Sequence, residues 1–243
     1  DCLIKLQLRY GSDKSLAFID KVYRMIRDAA YEASCEIAKE KGSFPKFNAS
    51  LFSKSLFVQE LNQEVQKAIK KQGIRNSVLL MQAPTGSTSL LAETTTGIEP
   101  IYCTAYQRRY LSGSEWRSRA VVDPTVLRLI RQGLIEDTSS VEDAMSLSAD
   151  PGRRIAMQAW VQGFVDHGIS STVNLPRPLT EDEADAFGDI LLRYLPQLRG
   201  ITAYPSGARG SDPLQPMSYI EATAMNAVAE EHEDRCIGGV CGV

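Results

Sequence analysis

Amphipathic helices that alternate with short apolar runs are the sequence feature that most restricts the fold of this chain. The longest helix is predicted between the turn at residues 11–13 and Gly42, because apolar side chains recur there every three or four positions. Residues 77–82 (SVLLMQ) then form an apolar run short enough for a buried strand. A second strand is predicted at residues 201–204. This alternation predicts the α/β class.

Local start and stop signals predict further helices. One is expected at residues 56–71, and another begins at Pro124, since proline favours the first helical position. Thr180 and Glu183 have the spacing of a capping box, which marks the start of a helix. Two more helices are predicted at residues 151–168 and 218–230.

Length and composition limit the class of protein. A chain of 243 residues can bury a substantial core without disulfides or metals. The formal net charge of -3 argues against a polyanion-binding surface along the whole chain, and no apolar stretch is long enough for a membrane span. Five cysteines, an odd and scattered set, favour a reducing, cytoplasmic location. Because the first residue is Asp1, we expect a processed product or a fragment.

A hydroxyl-rich loop follows the first predicted strand. It consists of Ala83, Pro84, Thr85, Gly86, Ser87 and Thr88, with Ser89 next. Hydroxyls, a glycine and free backbone N–H groups at the end of a buried strand can hold an anion such as a phosphate. The lysine and the spacing of a Walker A loop are missing. The alternative interpretation is an ordinary Ser/Thr turn or helix cap.

Two cysteines close to the end of the sequence are a second candidate site. Cys236 and Cys241 flank two glycines, so their thiols can close into a disulfide and remain accessible. This arrangement suits a mobile redox tail at residues 230–243. The alternatives are an inert flexible end and a zinc site that includes His232.

Two single residues are weaker candidates. His167 is expected to satisfy a helix end, with a catalytic role as the alternative. Cys103 is expected to be a small core residue and not a nucleophile. The sequence contains no clear Ser/His/Asp set, metal cluster or adjacent carboxylate pair.

Five co-linear features resemble the adenosylcobalamin-dependent (class II) ribonucleotide reductases. Residues 82–89 (QAPTGSTS) are similar to the family's A-P-T-G-T-I-S loop, and residues 96–102 (TGIEPIY) to its S-G-I-E-P-x-F segment. Residues 162–176 are similar to Y-V-D-H-x-I-S…N-x-P, and residues 199–209 to K-G-x-T-x-Y-R-x-G-S-R. The fifth feature is the pair of cysteines in the tail.

The sequence also departs from this family. Pro205 stands where the family usually has Arg, and Ala208 where it usually has Ser. The N-P-C-G-E-like motif that carries the family's radical cysteine does not occur in this chain. The chain therefore looks like the C-terminal part of the catalytic chain, and we expect it to be inactive without the N-terminal half.

The resemblance implies a fold, a reaction and partners. Residues 1–229 would form the C-terminal part of a ten-stranded α/β barrel, and residues 83–88 would hold the phosphates of a ribonucleoside di- or triphosphate. Adenosylcobalamin would generate the radical for reduction to the deoxyribonucleotide. Cys236 and Cys241 would pass electrons from thioredoxin or glutaredoxin. The other expected partner is the N-terminal half, with a homodimer possible and neither nucleic acid nor membrane involved.

Two alternatives stay open at this point. One is a fragment of a class I large subunit, which takes its radical from a separate protein. Such chains are expected to carry a Tyr-Tyr pair, but Tyr204 is followed by Pro205 and no Tyr-Tyr dipeptide occurs. The other is a non-catalytic module for nucleotide binding or assembly in a split enzyme.

Overall fold

The structure is a computed structural model that describes residues 1–205 and 214–225. The helices are α1 (Cys2–Lys5), α2 (Asp13–Lys41), α3 (Ala49–Phe52), α4 (Leu56–Gln59), α5 (Gln63–Gln72), α6 (Gly86–Leu91), α7 (Pro124–Arg131), α8 (Pro151–Gln162), α9 (Glu181–Tyr194) and α10 (Tyr219–Ala224). The strands are β1 (Ala105–Ser112), β2 (Glu115–Val122), β3 (Thr172–Leu175), β4 (Thr202–Pro205) and β5 (Leu214–Pro216). Short 3₁₀ turns lie at Ser146–Ala149 and Leu195–Gln197. No helix among these is long and apolar enough to cross a membrane.

The long helix α2 begins and ends where local signals predict. The Ser12 side chain accepts a hydrogen bond from the Ser15 N–H, which satisfies one of the free donors of the first turn. Gly42 ends the helix with a φ of 73°, a left-handed value that glycine adopts without strain. The predicted starts at Pro124 and at the Thr180 capping box are likewise confirmed.

The predicted helix at residues 56–71 is wrong as a single element, because the structure breaks it into α4 and α5. The side chain of Asn62 accepts a hydrogen bond from the Val65 N–H at 2.8 Å, so Asn62 caps a new helix. The predicted helix at residues 151–168 is also shorter than expected and ends as α8 at Gln162.

Strands β1 and β2 form a hairpin that the sequence analysis did not predict. They pair over their full length, from Ala105 opposite Val122 to Ser112 opposite Glu115. Gly113 makes the tight turn with a φ of 65°. Strand β5 adds to β1 beside Tyr106–Arg108 and completes a three-stranded antiparallel sheet.

Parallel pairing joins three separate parts of the chain. Strands β3 and β4 pair in parallel, which confirms a strand close to the predicted residues 201–204. The predicted buried strand at residues 77–82 is wrong: the segment is extended, but within the described ranges it forms one isolated parallel bridge, between Gln82 and Ile169, and Val78 and Met81 are exposed. The Gln82 N–H donates to the Gly168 carbonyl at 3.1 Å, and Gln82 accepts from the Ser170 N–H at 2.8 Å. Within the described ranges these strands form an open α/β arrangement and no closed barrel.

Two apolar clusters hold α2 against the rest of the fold. The first contains Tyr10, Ile19, Ile98, Leu147, Met157, Val161, Val165 and Ile169. The second contains Tyr31, Cys35, Val58, Leu61, Val65, Ile69 and Ile74. Leu80 packs on the first cluster and its neighbour Leu79 on the second, as expected for an extended segment whose side chains alternate.

Candidate functional site

The predicted anion-binding residues form one exposed turn. Residues 83–88 lie directly after the parallel bridge at Gln82, and all six are exposed. Helix α6 begins within the turn, where the Ser89 N–H donates to the Thr85 carbonyl at 2.8 Å and the Ser89 hydroxyl to the Gly86 carbonyl at 2.7 Å. The turn therefore lies at the carboxyl end of a parallel segment, the edge at which α/β sheets usually bind ligands.

A buried carboxylate fixes the segment that leads into this turn. Asp166, which is 5% exposed, accepts hydrogen bonds from the Leu79 N–H at 2.9 Å and the Leu80 N–H at 2.8 Å. The Tyr31 hydroxyl of α2 donates to the same carboxylate at 2.6 Å. Burial, with this hydrogen bond and the nearby carboxylate charge, raises the pKa of Tyr31, so its hydroxyl keeps its proton. We call Asp166 and Tyr31 the carboxylate anchor.

The start of the turn also contacts residues 96–102. The Gln82 side chain donates to the Tyr23 hydroxyl at 3.2 Å. Gly97 lies beside it, since a Cβ added there would be 3.7 Å from Gln82 Oε1. Gly97 has a φ of 46°, a conformation that favours glycine. Two motifs of the family resemblance therefore meet at the base of the turn.

A buried arginine ties the same region to α8. Arg154 is 1% exposed and donates to the Tyr10 hydroxyl, the Glu99 carboxylate and the Thr172 carbonyl, the last at 2.7 Å. Glu99 in turn accepts from the Thr172 N–H at 2.6 Å. Burial raises the pKa of Glu99, and the Arg154 charge opposes that rise. We call these residues the arginine network.

Tyr10 completes the arginine network on the other side. Its hydroxyl donates to the Ile98 carbonyl at 2.8 Å, and its ring lies 5.1 Å from the Arg154 guanidinium carbon. Burial raises the pKa of Tyr10 to about 12, so the hydroxyl remains a donor at neutral pH. The network thus joins the 96–102 segment to the start of strand β3.

A cavity of about 800 Å³ opens beside Gly97. Its walls come from α1, α2 and the residues between them, the 95–101 segment, the 134–142 segment and α8, and they are mainly aliphatic. Glu99 and Glu142 are the acidic residues of its lining outside the first residue of the chain. No group of three or more His, Cys, Asp or Glu within the described ranges could hold a metal ion.

The other sequence candidates have different outcomes. Cys103 is buried, as expected for a core residue; its thiol donates to the Ala105 carbonyl at 2.9 Å, and burial raises its pKa to about 12. His167 is exposed just after α8, and its backbone N–H donates to the Leu80 carbonyl at 3.0 Å. Cys236, Cys241 and His232 lie outside the described residues, as does the predicted boundary between residues 229 and 230.

The residues that support the turn were not predicted from the sequence. Asp166 and Glu99 lie within the motifs of the resemblance, so their position in those motifs was an available signal. Tyr31 and Arg154 carry no motif, and their roles depend on partners far away in the sequence. A polar residue on the buried face of an amphipathic helix is the only local sign of such a role.

Comparison with known proteins shows the family to which the chain belongs. The family model "Ribonucleotide reductase, barrel domain" matches residues 1–194. The chain is 30% identical to the vitamin B12-dependent ribonucleoside-diphosphate reductase of Mycobacterium tuberculosis H37Rv, over 99% of this chain and 34% of that protein. It is 30% identical to the enzyme of the same name from Thermoplasma acidophilum, over 84% of this chain and 27% of that protein.

A shorter match is closer in sequence. The ribonucleoside-diphosphate reductase subunit alpha of Treponema pallidum is 44% identical over 98 residues, which are 38% of this chain and 12% of that protein. The chain spans 34% and 27% of the lengths of these two B12-dependent relatives. With four fifths of its length matched by the family model, the chain belongs to the ribonucleotide reductase family, in which it corresponds to the barrel domain.

Proposed function

We propose that this chain is part of the catalytic chain of a vitamin B12-dependent ribonucleotide reductase. In that enzyme residues 83–88 hold the phosphates of a ribonucleoside di- or triphosphate while its ribose is reduced. The similarity to two B12-dependent reductases over most of the chain supports this proposal. The ten-stranded barrel belongs to the same proposal, with the parallel pairings of β3, β4 and Gln82 as parts of its wall.

The observation that carries the proposal is the position of the turn. Its hydroxyls and N–H groups lie exposed at the end of a segment that the carboxylate anchor holds by two backbone hydrogen bonds. Donors on a fixed support need not reorganise when an anion binds, so each hydrogen bond contributes more to affinity. Thr85, Ser87 and Thr88 supply the hydroxyls.

We assign the tail cysteines to electron transfer in the same reaction. Each reduction of a ribonucleotide leaves a disulfide in the active site, and a tail thiolate attacks it to form a mixed disulfide. The second tail thiol resolves that bond, so the tail becomes oxidised and the active-site pair reduced. Thioredoxin or glutaredoxin then returns two electrons to Cys236 and Cys241. Acidic Glu233 and Asp234 disfavour the Cys236 thiolate, which favours Cys241 as the first attacker.

The described residues do not form a cobalamin site by themselves. The corrin ring carries many amide groups that need hydrogen-bond partners when they are buried. The cavity beside Gly97 is mainly aliphatic. In our proposal the cofactor site therefore belongs to the N-terminal half of the reductase, and this chain contributes substrate and electron handling.

The phosphate role is tested in the complemented enzyme, that is, this chain together with the N-terminal half. The Thr85→Val/Thr88→Val variant should bind the nucleotide more weakly by about 1–3 kcal/mol, the usual loss for hydrogen bonds to a charged group. Equilibrium binding of a labelled nucleotide measures this change. Ser50→Ala, which removes an exposed hydroxyl on α3, is the matched control. An unchanged affinity of the double variant would remove the turn from the site.

The tail role is tested by comparing two reductants. The Cys236→Ser/Cys241→Ser variant should lose turnover with thioredoxin, because a protein reductant cannot reach a buried disulfide directly. It should keep activity with dithiothreitol, which is small enough to enter. Cys2→Ser, at an exposed and free cysteine, is the control and should leave both activities unchanged. Equal loss with both reductants would contradict electron transfer by the tail.

The second candidate is a class I large-subunit fragment, which the 44% identity to the Treponema pallidum subunit alpha favours over 98 residues. The two candidates differ in the source of the radical. Activity of the complemented enzyme that depends on added adenosylcobalamin supports the first. Activity that depends on a separate protein and not on cobalamin supports the second.

A further inference from the structure

One face of the β1–β2 hairpin combines an aromatic ring, an arginine and uncharged polar side chains. Side chains alternate along a strand, and residues directly opposite each other on paired strands share a face of the sheet. The pairs on this face are Gln107 with Gln215, Arg109 with Ser118, and Leu111 with Trp116. We call it the tryptophan face.

The tryptophan face is positively charged. Glu115 is the one acidic residue of β1 and β2, and it lies on the other face of the hairpin, where it pairs with Arg117 at 3.9 Å. In the described part of the chain Arg109 has no carboxylate partner. A guanidinium without such a partner keeps its N–H donors for an anion from outside the chain.

Stacking on Trp116 holds the guanidinium of Arg109 in place. The guanidinium carbon lies 4.8 Å from the centre of the indole ring. This contact uses the flat side of the guanidinium and leaves the N–H groups at its edge available, so less entropy is lost when they bind an anion. Trp116 is 61% exposed, which leaves part of its ring open to a ligand.

A recess of about 170 Å³ lies beside this stacked pair. It is lined by Gln107, Arg109, Trp116, Arg117, Ser118 and Gln215. The Gln107 side chain donates to the Ser118 hydroxyl at 3.3 Å, so the proton of that hydroxyl remains available as a donor. The Gln215 amide and Arg109 supply N–H donors. Hydrogen-bond donors therefore surround a small space next to an aromatic ring.

We infer that the tryptophan face binds a nucleoside phosphate, with the phosphate in the recess against Arg109 and the base stacked on Trp116. A guanidinium matches two phosphate oxygens with two parallel hydrogen bonds, and the hydroxyl and amide donors suit the third. Every nucleobase has a π face that can stack on an indole ring. Leu111, opposite Trp116 and 55% exposed, extends the apolar surface for the base.

A free nucleotide fits this face better than a nucleic-acid strand does. Proteins that bind single strands use a positively charged groove that follows several phosphates. Among the paired residues of the tryptophan face, Arg109 is the one arginine, and it lies beside one small recess. The site is also separate from the hydroxyl turn, because none of residues 83–88 lines the recess. Its ligand therefore does not depend on the proposed function.

Fluorescence of Trp116 measures binding without any assay of activity. In the full 243-residue chain with Trp160→Phe, Trp116 is the only tryptophan. A stacked base quenches indole fluorescence, so adenosine monophosphate (AMP) should quench it along a saturable curve. Adenosine, which has the same base and no phosphate, should bind at least about tenfold more weakly, because it lacks the hydrogen bonds to a charged group. Equal affinities of the two, or quenching by AMP that does not saturate, would overturn the inference.

Matched variants assign the contacts. Arg109→Gln should weaken AMP binding by about tenfold or more and leave adenosine binding unchanged, whereas Arg131→Gln at the exposed end of α7 should change neither. Arg109 is exposed, so its replacement leaves the fold intact. Identical AMP affinities in the Arg109 variant and the parent would exclude the arginine and overturn the site.

Two further comparisons separate this site from other nucleotide binding. Thr85→Val/Thr88→Val should leave the quenching of Trp116 by AMP unchanged, so the turn and the tryptophan face can fail independently; loss of quenching in that variant would assign the signal to the turn. A single-stranded DNA of ten nucleotides should bind at most about tenfold more tightly than AMP, the statistical advantage of its many phosphates. A much larger gain assigns the face to nucleic-acid strands and contradicts the inference.

Discussion

The carboxylate anchor and the hydroxyl turn act on neighbouring parts of the chain, since the anchor holds residues 79 and 80 and the turn begins at residue 83, but the two differ in burial and in what they bind. Asp166 is buried and accepts from three donors, whereas residues 83–88 are exposed. The anchor fixes backbone N–H groups of residues 79 and 80, and the turn presents donors to the outside. An anion site of defined geometry needs both a buried support and exposed donors, because the support fixes the positions of the donors. The comparison predicts that stability depends on the buried groups and ligand affinity on the exposed ones.

The largest expected effect comes from the arginine network. Arg154→Met should lower the free energy of unfolding by about 3–5 kcal/mol, because it leaves the Glu99 carboxylate without its buried partner. Urea denaturation followed by circular dichroism measures this loss. Arg24→Met removes an exposed ion pair with Asp20 and should cost less than about 1 kcal/mol. Similar losses in the two variants would mean that burial does not distinguish these pairs.

Variants of the carboxylate anchor should have an intermediate effect on the free energy of unfolding, and the effects of changing Asp166 and Tyr31 should depend on each other. Asp166→Asn and Tyr31→Phe each remove part of one hydrogen-bonded set, so we expect losses of about 1–3 kcal/mol for each. Because the two side chains share a bond, the double variant should lose less than the sum of the single losses. A double-mutant cycle in urea tests this coupling. Strict additivity would show that the 2.6 Å contact contributes nothing to stability.

Variants of the turn should change nucleotide affinity and leave the free energy of unfolding almost unchanged. Thr85→Val/Thr88→Val should change the free energy of unfolding by less than about 0.5 kcal/mol, since both side chains are exposed. The same variant should lose nucleotide affinity in the complemented enzyme, as described above. A loss of stability as large as that of Asp166→Asn would mean that the turn is part of the structural support.

The smallest expected effect on stability comes from Glu183, an exposed carboxylate in the first turn of α9. Hydrogen bonds from Arg177 and then Thr180 lower the pKa of Glu183 to about 2 from an ordinary 4.5. The carboxylate therefore contributes stability that is complete above about pH 4.5 and is lost as the pH falls towards 2. Glu183→Gln should reduce the dependence of Tm on pH in that window, and Glu181→Gln serves as the control. An unchanged pH profile of Tm in the Glu183 variant would contradict this assignment.

The sequence predicted those elements whose signals are local. The Ser12 cap, Pro124 and the capping box at Thr180 each depend on residues within one helical turn, and each begins a helix in the structure. The break at Asn62 was missed because apolar residues continue across it at helical spacing. The family motifs identified the turn itself, since its residue types are characteristic without knowledge of any contact.

The remaining features depend on distant contacts or lack a periodic pattern. The outer half of the β1–β2 hairpin is exposed, so its strands do not show the regular alternation of apolar and polar residues that identifies a half-buried strand. Arg154 contacts residues that are 55 and 144 positions away, and Tyr31 contacts one 135 positions away. No local pattern contains that information.

The carboxylate of Asp166 recognises main-chain groups and not side chains, which has a consequence for mutational tolerance. Every residue except proline can donate the two N–H groups at positions 79 and 80. The side chains at these positions need only be apolar, because Leu79 packs on one apolar cluster and Leu80 on the other. Variants with Val, Ile, Met or Leu at these two positions should therefore keep both backbone hydrogen bonds to Asp166 and the position of the turn. Proline at either position should remove one of these hydrogen bonds and displace the turn. The sequence requirement of this support is thus concentrated in Asp166 and Tyr31, far along the chain from the segment that they hold.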